Sequence, residues 1–110
     1  MVGQGDIVWM DFDPQLGHEQ KGRRPAIIIS NGDFHIATNH RMAMVCPITS
    51  AHKPFPFRVP LDDRTETSGH IMCEQVKVFD IRMRNVQYIE KVADDILDEV
   101  MDVVAGIFKR

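Results

Sequence analysis

The hydrophobic pattern of this chain changes period once, and that change constrains the fold more than any other feature. Up to Val92 the apolar residues come in short runs or in alternation, each stopped by Gly, Pro, Asn or Asp. "DIVWMDFD" is closed by "DPQLG", and "RPAIIIS", which shows no alternation and so reads as buried on both faces, is closed by "NGD". "RMAMVCPIT" is broken at Pro47, while "FPFRVPL" sets Phe55, Phe57, Val59 and Leu61 at period two. "SGHIMCEQVKVFD" reads as a fifth, bulged strand and "NVQYIEKV" as a short sixth. Beyond that point Ile96, Leu97, Val100, Met101, Val104, Ile107 and Phe108 fall at helical spacing, with Asp94, Asp95, Asp98, Glu99 and Asp102 filling much of the remainder. Five or six short strands and a closing amphipathic helix predict a mainly β, α+β architecture: a small, strongly bent antiparallel barrel.

With 110 residues, 44% of them hydrophobic, the chain reads as a single domain over 1–110, able to bury a core and small enough to gain from forming a dimer. No segment approaches the roughly 18 consecutive apolar residues of a membrane span, and no basic lead precedes an apolar run at the N-terminus. The expectation is a soluble, cytoplasmic protein. Cys46 and Cys73 each lie in an apolar segment without C-x-x-C or zinc spacing, as reduced thiols serving as small core hydrophobes would. His35, His40, His52 and His70 show no ligand spacing, so no metal is expected. The net charge of −3 is local in origin: from Glu90 onward six carboxylates face only Lys91, Lys109 and Arg110, and the preceding residues carry ten charges of each sign. This balance argues against a broad nonspecific DNA binder and leaves an RNA substrate open.

The chemistry concentrates in "GRRPA". Pro25 fixes its own φ and pushes Arg24 into extended geometry, so the guanidinium direction is set before any ligand arrives. Arginine offers a planar fork of donors to phosphate oxygens and stays charged, which suits it to the negative charge that builds on a pentacovalent phosphorus. In "CPITS", Thr49 and Ser50 follow one apolar run much as Arg24 precedes another. Taken singly, an arginine opening a strand reads more simply as a solvated end or salt-bridge partner, and a hydroxyl at a strand end as a backbone cap.

The order "GDIVWMDFDP", "GHEQKGRRPAIII", "CPITS", "PFPFRV" and "CEQVKV" resembles the MazF/PemK family of toxin endoribonucleases, with specific motif spacing from Gly5 to about Asp80. The resemblance implies an SH3-like barrel of the CcdB/PemK type that forms a homodimer. It also implies cofactor-free, metal-independent and sequence-specific cleavage of single-stranded RNA, mRNA included, and neutralisation by a cognate antitoxin with a disordered acidic tail. Such a tail would occupy the RNA groove by mimicking phosphates. The family's catalytic arginine and threonine fall on Arg24 and Thr49, and its groove-lining positions on Glu19, Gln20, Gln75 and Lys77.

Ser50 and Lys53 join the expected RNA contacts. Lys53 beside Phe55 has the basic-plus-aromatic mix that grips single strands, although the alternation favours Phe55 and Phe57 pointing into the core. Two readings stand for Arg23: an RNA phosphate contact at the rim, or a carboxylate partner on the opposite face of its strand. Attack by the ribose 2′-OH, leaving a 2′,3′-cyclic phosphate and a 5′-OH, needs a base, and arginine is a poor one with a pKa above about 12. Many members carry serine where this chain has His18, so their serine contact does not carry over. The histidine is a candidate acid or base, against the plainer reading of a loop residue touching RNA or solvent. The alternative function is a CcdB-like gyrase poison that binds and cuts nothing. Gly106 and Ile107 echo the C-terminus of such poisons, but Ala105 stands where their tryptophan would be.

Overall fold

The computed structural model describes residues 1–12, 22–51, 53 and 55–110. Seven strands form one antiparallel sheet: β1 (Asp6–Asp11), β2 (Arg23–Ile28), β3 (Met42–Thr49), β4 (Arg58–Pro60), β5 (His70–Met72), β6 (Lys77–Asp80) and β7 (Gln87–Lys91). Two helices, α1 (Gly32–Ala37) and α2 (Asp94–Phe108), and two 3-10 turns are the other elements among the described residues. The spatial order is β4-β5-β3-β2-β1-β7, with β6 pairing the far end of β3. Among the described residues β4 and β7 do not pair with each other, so the expected barrel is an open, curled sheet.

Alternation along β1, β2 and β3 sends successive side chains into two separate cores. Ile7, Ile27, Cys46, Ile48 and Ile71 face α2 and pack with its Ile96, Val100 and Val104. Val8, Met10, Phe12, Ala26, Ile28, Ala43, Val45 and Phe79 form a smaller cluster on the other side. Two-sided burial is why "AIII" has no polar alternation: Ala26 and Ile28 serve one core, Ile27 and Ile29 the other. Each fully buried aliphatic side chain contributes about 1.5–3 kcal/mol by leaving water. Both cysteines are free and buried in the α2-side core, where a hydrogen bond with Cys73, together with burial, pushes the Cys46 thiol upward.

Several expectations need correction. Seven strands replace five or six because the run read as one bulged strand is divided by a 3-10 turn, Cys73–Gln75, into β5 and β6. β3 runs through Pro47 unbroken. On one edge Pro47 pairs with Ala26, and on the other it sits where the partner changes from β6, ending at Val45, to β5, starting at Ile48. A missing N–H does least harm at such a changeover. "NGD" does more than stop β2, since Asn31 Oδ1 accepts the Phe34 N–H at 3.0 Å and caps α1. Phe55 and Phe57 do not enter the core: they are 45% and 40% exposed and meet edge to face at 5.7 Å. At the end of α2, Ile107 and Phe108 are likewise exposed.

Candidate active site

The two arginines that open β2 part company at once. Trp9 pairs with Pro25, Met10 with Arg24 and Asp11 with Arg23, so Arg24 lies on the face of the smaller core and Arg23 on the opposite face. Arg23 is tied down there. Its Nη1 donates to Asp11 Oδ1 at 3.2 Å and to the Asn85 carbonyl at 2.8 Å, and its Nη2 to Gln87 Oε1 at 3.5 Å.

Arg24 meets different company. β2 pairs with β3 through Ile28 and Val45, Ile27 and Cys46, and Ala26 and Pro47. Carried two residues further, this register sets Arg24 across from Thr49 on the same face. The β3–β6 register brings Lys77 opposite Val45 on that face, and Gln75 closes the 3-10 turn that precedes β6. Three residues singled out from sequence, Arg24, Thr49 and Lys77, therefore lie on one face of the sheet, on three separate strands. Thr49 is only 5% exposed, and its Oγ1 accepts the Ala51 N–H at 3.2 Å. The hydroxyl keeps its proton as the group able to donate to a phosphate oxygen.

The floor is aromatic. Phe12 and Phe79, both buried, stand edge to face at 5.3 Å. Lys77 Nζ lies 5.5 Å from the Phe79 ring centre and Arg84 Cζ 4.8 Å from the same ring, so one buried ring holds two cations. Arg84 also donates to the Asp11 carbonyl at 3.5 Å, while the Asp11 N–H donates to the Arg84 carbonyl at 2.8 Å. Sequence reasoning passed over Arg84. The available signal was the charge balance of "DIRMR", in which Asp80 accounts for Arg82, with which it forms an ion pair at 3.3 Å, and not for Arg84.

Ser50 and Lys53 are exposed beyond the end of β3. Nearby, Arg58 lies 5.3 Å from the Phe55 ring centre and donates twice to Glu74 Oε2, at 3.0 and 3.2 Å. His18, Glu19 and Gln20 lie outside the described residues. The chain on either side is placed at this end of the sheet, where the Phe12 N–H donates to the Gly22 carbonyl at 2.9 Å. Together these groups form a half-buried, cation-rich edge with a hydroxyl donor, suited to gripping a phosphodiester and stabilising charge on it.

Comparison with known proteins agrees with this geometry. The family described as PemK-like, MazF-like toxin of type II toxin-antitoxin system matches residues 3–108. Endoribonuclease PemK of Escherichia coli is 33% identical over 108 residues, covering 94% of this chain and 80% of that protein. Endoribonuclease toxin MazF of Escherichia coli K12 is 39% identical over 80 residues, covering 73% of this chain and 69% of that protein. Among solved structures, MazF from Deinococcus radiodurans superposes with a TM-score of 0.89 at 33% identity, covering 96% of this chain and 94% of that one. A structure of MazE-MazF from the same organism gives 0.83 at 30% identity, with the same coverage. This chain therefore belongs to the PemK-like, MazF-like toxins of type II toxin-antitoxin systems.

Proposed function

We infer that this protein is an endoribonuclease toxin that cleaves single-stranded RNA and is neutralised by a cognate antitoxin. The observation that carries the reading is the placement of Arg24, Thr49 and Lys77 on one face of the sheet, within a chain whose relatives are endoribonucleases. Family membership sets aside the gyrase-poison alternative, which rested on the shared barrel and the C-terminal Gly106-Ile107 pair.

In the proposed mechanism the ribose 2′-OH attacks its own phosphorus. The new O–P bond forms as the bond to the 5′-oxygen breaks, leaving a 2′,3′-cyclic phosphate and a 5′-OH. Arg24 holds the non-bridging oxygens as charge builds on them, and the Thr49 hydroxyl donates to the same phosphate. Lys77, Gln75 and the ring-supported Arg84 bind the strand to either side, Ser50 and Lys53 extend the path, and Glu19 and Gln20 read it from the first loop. His18 is the candidate for moving the proton of the 2′-OH or the leaving oxygen. No step calls for a metal. The protein acts as a homodimer of a single toxin domain in the cytoplasm, where mRNA is found. The antitoxin's acidic tail competes for the phosphate path; Deinococcus radiodurans MazF is itself known in structures with MazE.

The test is incubation with a long single-stranded RNA in excess chelator, beside Arg24→Ala and Thr49→Ala. Cleavage at discrete positions, leaving cyclic phosphate and lost in both variants, is the expected result. A folded, antitoxin-free protein that leaves the RNA intact overturns the reading.

A further inference from the structure

The segment between β4 and β5 places no side chain among the cations of the Arg24 face, yet it bears directly on Thr49. Gly69 has φ +121°, and a Cβ added to it would lie 2.2 Å from the Thr49 carbonyl oxygen and 3.0 Å from the carbonyl carbon. An ordinary carbon–oxygen contact is roughly 3.3 Å, so any side chain here forces the two backbones apart by about 1 Å. The next residue, His70, pairs with Thr49 in the β3–β5 ladder, and the Gly69 carbonyl accepts the Leu61 N–H at 2.9 Å. Thr49 is thus held from behind by a surface that only glycine can present.

That surface is itself anchored. Glu90, in β7 beyond the opposite side of the sheet, reaches the same segment: its Oε1 accepts the Glu66 N–H at 3.0 Å, and its Oε2 accepts both the Thr67 N–H at 2.8 Å and the Thr67 hydroxyl at 2.7 Å. Residues 66–69 are in this way strapped between an edge strand and the end of β3.

We propose that Gly69, held in place by the Glu90 clamp on Glu66 and Thr67, is the positioning residue of Thr49, setting the height at which the Thr49 hydroxyl stands opposite Arg24. The inference rests on the assignment of Thr49 to RNA cleavage. Because a Cβ at Gly69 would clash with the Thr49 backbone and otherwise meet only the Ile48 methyl at ordinary contact distance, substituting it moves the hydroxyl without touching the cations that bind the strand. The signature is therefore a fall in kcat at nearly constant KM.

Five variants decide the matter by single-turnover and steady-state cleavage of a fluorescent RNA: Gly69→Ala, Glu90→Gln, Thr49→Ala and the double variants Gly69→Ala/Thr49→Ala and Glu90→Gln/Thr49→Ala. The expectation for folded Gly69→Ala is a loss of about 100-fold in kcat, the scale of a 1 Å misplacement, with KM within about twofold of the parent. In the Thr49→Ala background the same change adds nothing further. Full kcat in Gly69→Ala, or a loss that multiplies with that of Thr49→Ala, overturns the proposal while leaving Thr49 in its role. An active Thr49→Ala overturns the underlying assignment instead. Should Gly69→Ala fail to fold, Glu90→Gln takes its place, since it adds no atoms: a smaller fall in kcat that vanishes in the Thr49→Ala background supports the proposal, and an unchanged kcat overturns it.

Discussion

Arg23 and Arg24 are neighbours in sequence and have unlike surroundings. Arg23, on the side of the sheet that carries α2, is satisfied by Asp11, the Asn85 carbonyl and Gln87. Arg24, one residue on, faces the other way, on the side of the sheet that carries Thr49 and Lys77. A strand's two-residue period has sorted one dipeptide onto two faces, with one arginine held in an ion pair and the other on the side of the proposed RNA path. On the Arg23 side the Asp11 carboxylate answers the cation at 3.2 Å; on the other side Lys77 and Arg84 lie over the Phe79 ring.

The contrast breaks most sharply by mutation of the two arginines in turn. Arg24→Ala is expected to lower kcat about 100- to 1000-fold, the usual loss when a preorganised donor to developing charge is removed, with little change in melting temperature. Arg24→Lys recovers little, because a single ammonium cannot replace the two-point fork. Arg23→Ala should do the reverse, leaving kcat near the parent value and costing about 0–1 kcal/mol of stability, since its ion pair with Asp11 is more than a third exposed. Equal loss of cleavage in both would erase the distinction.

The α2 side is the place to change stability without changing chemistry. Ile96→Ala removes a nearly buried side chain from that core and should cost about 2 kcal/mol, toward the low end for such truncations because Ile96 keeps slight exposure. Chemical denaturation measures the loss, while kcat well below the transition temperature stays at the parent value.

Acid weakens the fold through a buried histidine rather than through the cleft. His35 in α1 is 2% exposed, 2.7 Å from the Ser30 hydroxyl, and burial, with His40 nearby, pushes its pKa below the ordinary 6.5. The unfolded chain then takes up a proton that the folded one refuses. Stability should be fully present above about pH 6.5 and fall as pH drops from there toward the lowered folded value. Denaturation at pH 7.5 and 5.5 checks the slope, and His35→Gln should flatten it. An unchanged slope would move the acid sensitivity to another group, though not to Glu90. Burial opposes its ionisation, but its hydrogen bonds from Thr67 and Glu66 prevail and hold it below the ordinary carboxylate value. Its contribution is accordingly lost only at more acid pH.

How far the sequence could be read follows from which interactions are local. The strands were visible because each apolar run ends at a residue with a backbone preference, and α2 because Ile96, Val100 and Val104 repeat at one period. That Arg23 and Arg24 oppose each other follows from strand geometry alone. The convergence on Thr49 does not, because it depends on a pairing register between β2 and β3 that the residues themselves do not encode; there the family resemblance supplied what patterning could not. α1 was missed because Asn31-Gly32-Asp33 is at once a turn signal and a helix cap. Phe55 and Phe57 were misplaced because alternation says which residues share a face and not whether that face is covered. Thr49 bears out its plainer reading, since its oxygen accepts the Ala51 N–H as a strand-end hydroxyl commonly does.

The smallest expected effect tests whether the aromatic floor belongs to the core or to the site. Phe79 packs with Phe12 on its edge and carries Lys77 and Arg84 over its ring. Phe79→Leu keeps most of the apolar contact and removes the ring's negative face, which at a partly exposed site is worth about 0.5–1 kcal/mol per cation. If that face steadies the cations for the strand, KM rises a few-fold, kcat holds, and the salt dependence of KM becomes shallower as the cations spread into solvent. If Phe79 is only core, melting temperature falls and KM keeps both its value and its salt slope. The two outcomes separate because a site built on a strand's exposed end borrows rigidity from the core beneath it. The ring is the point at which that borrowing can be measured.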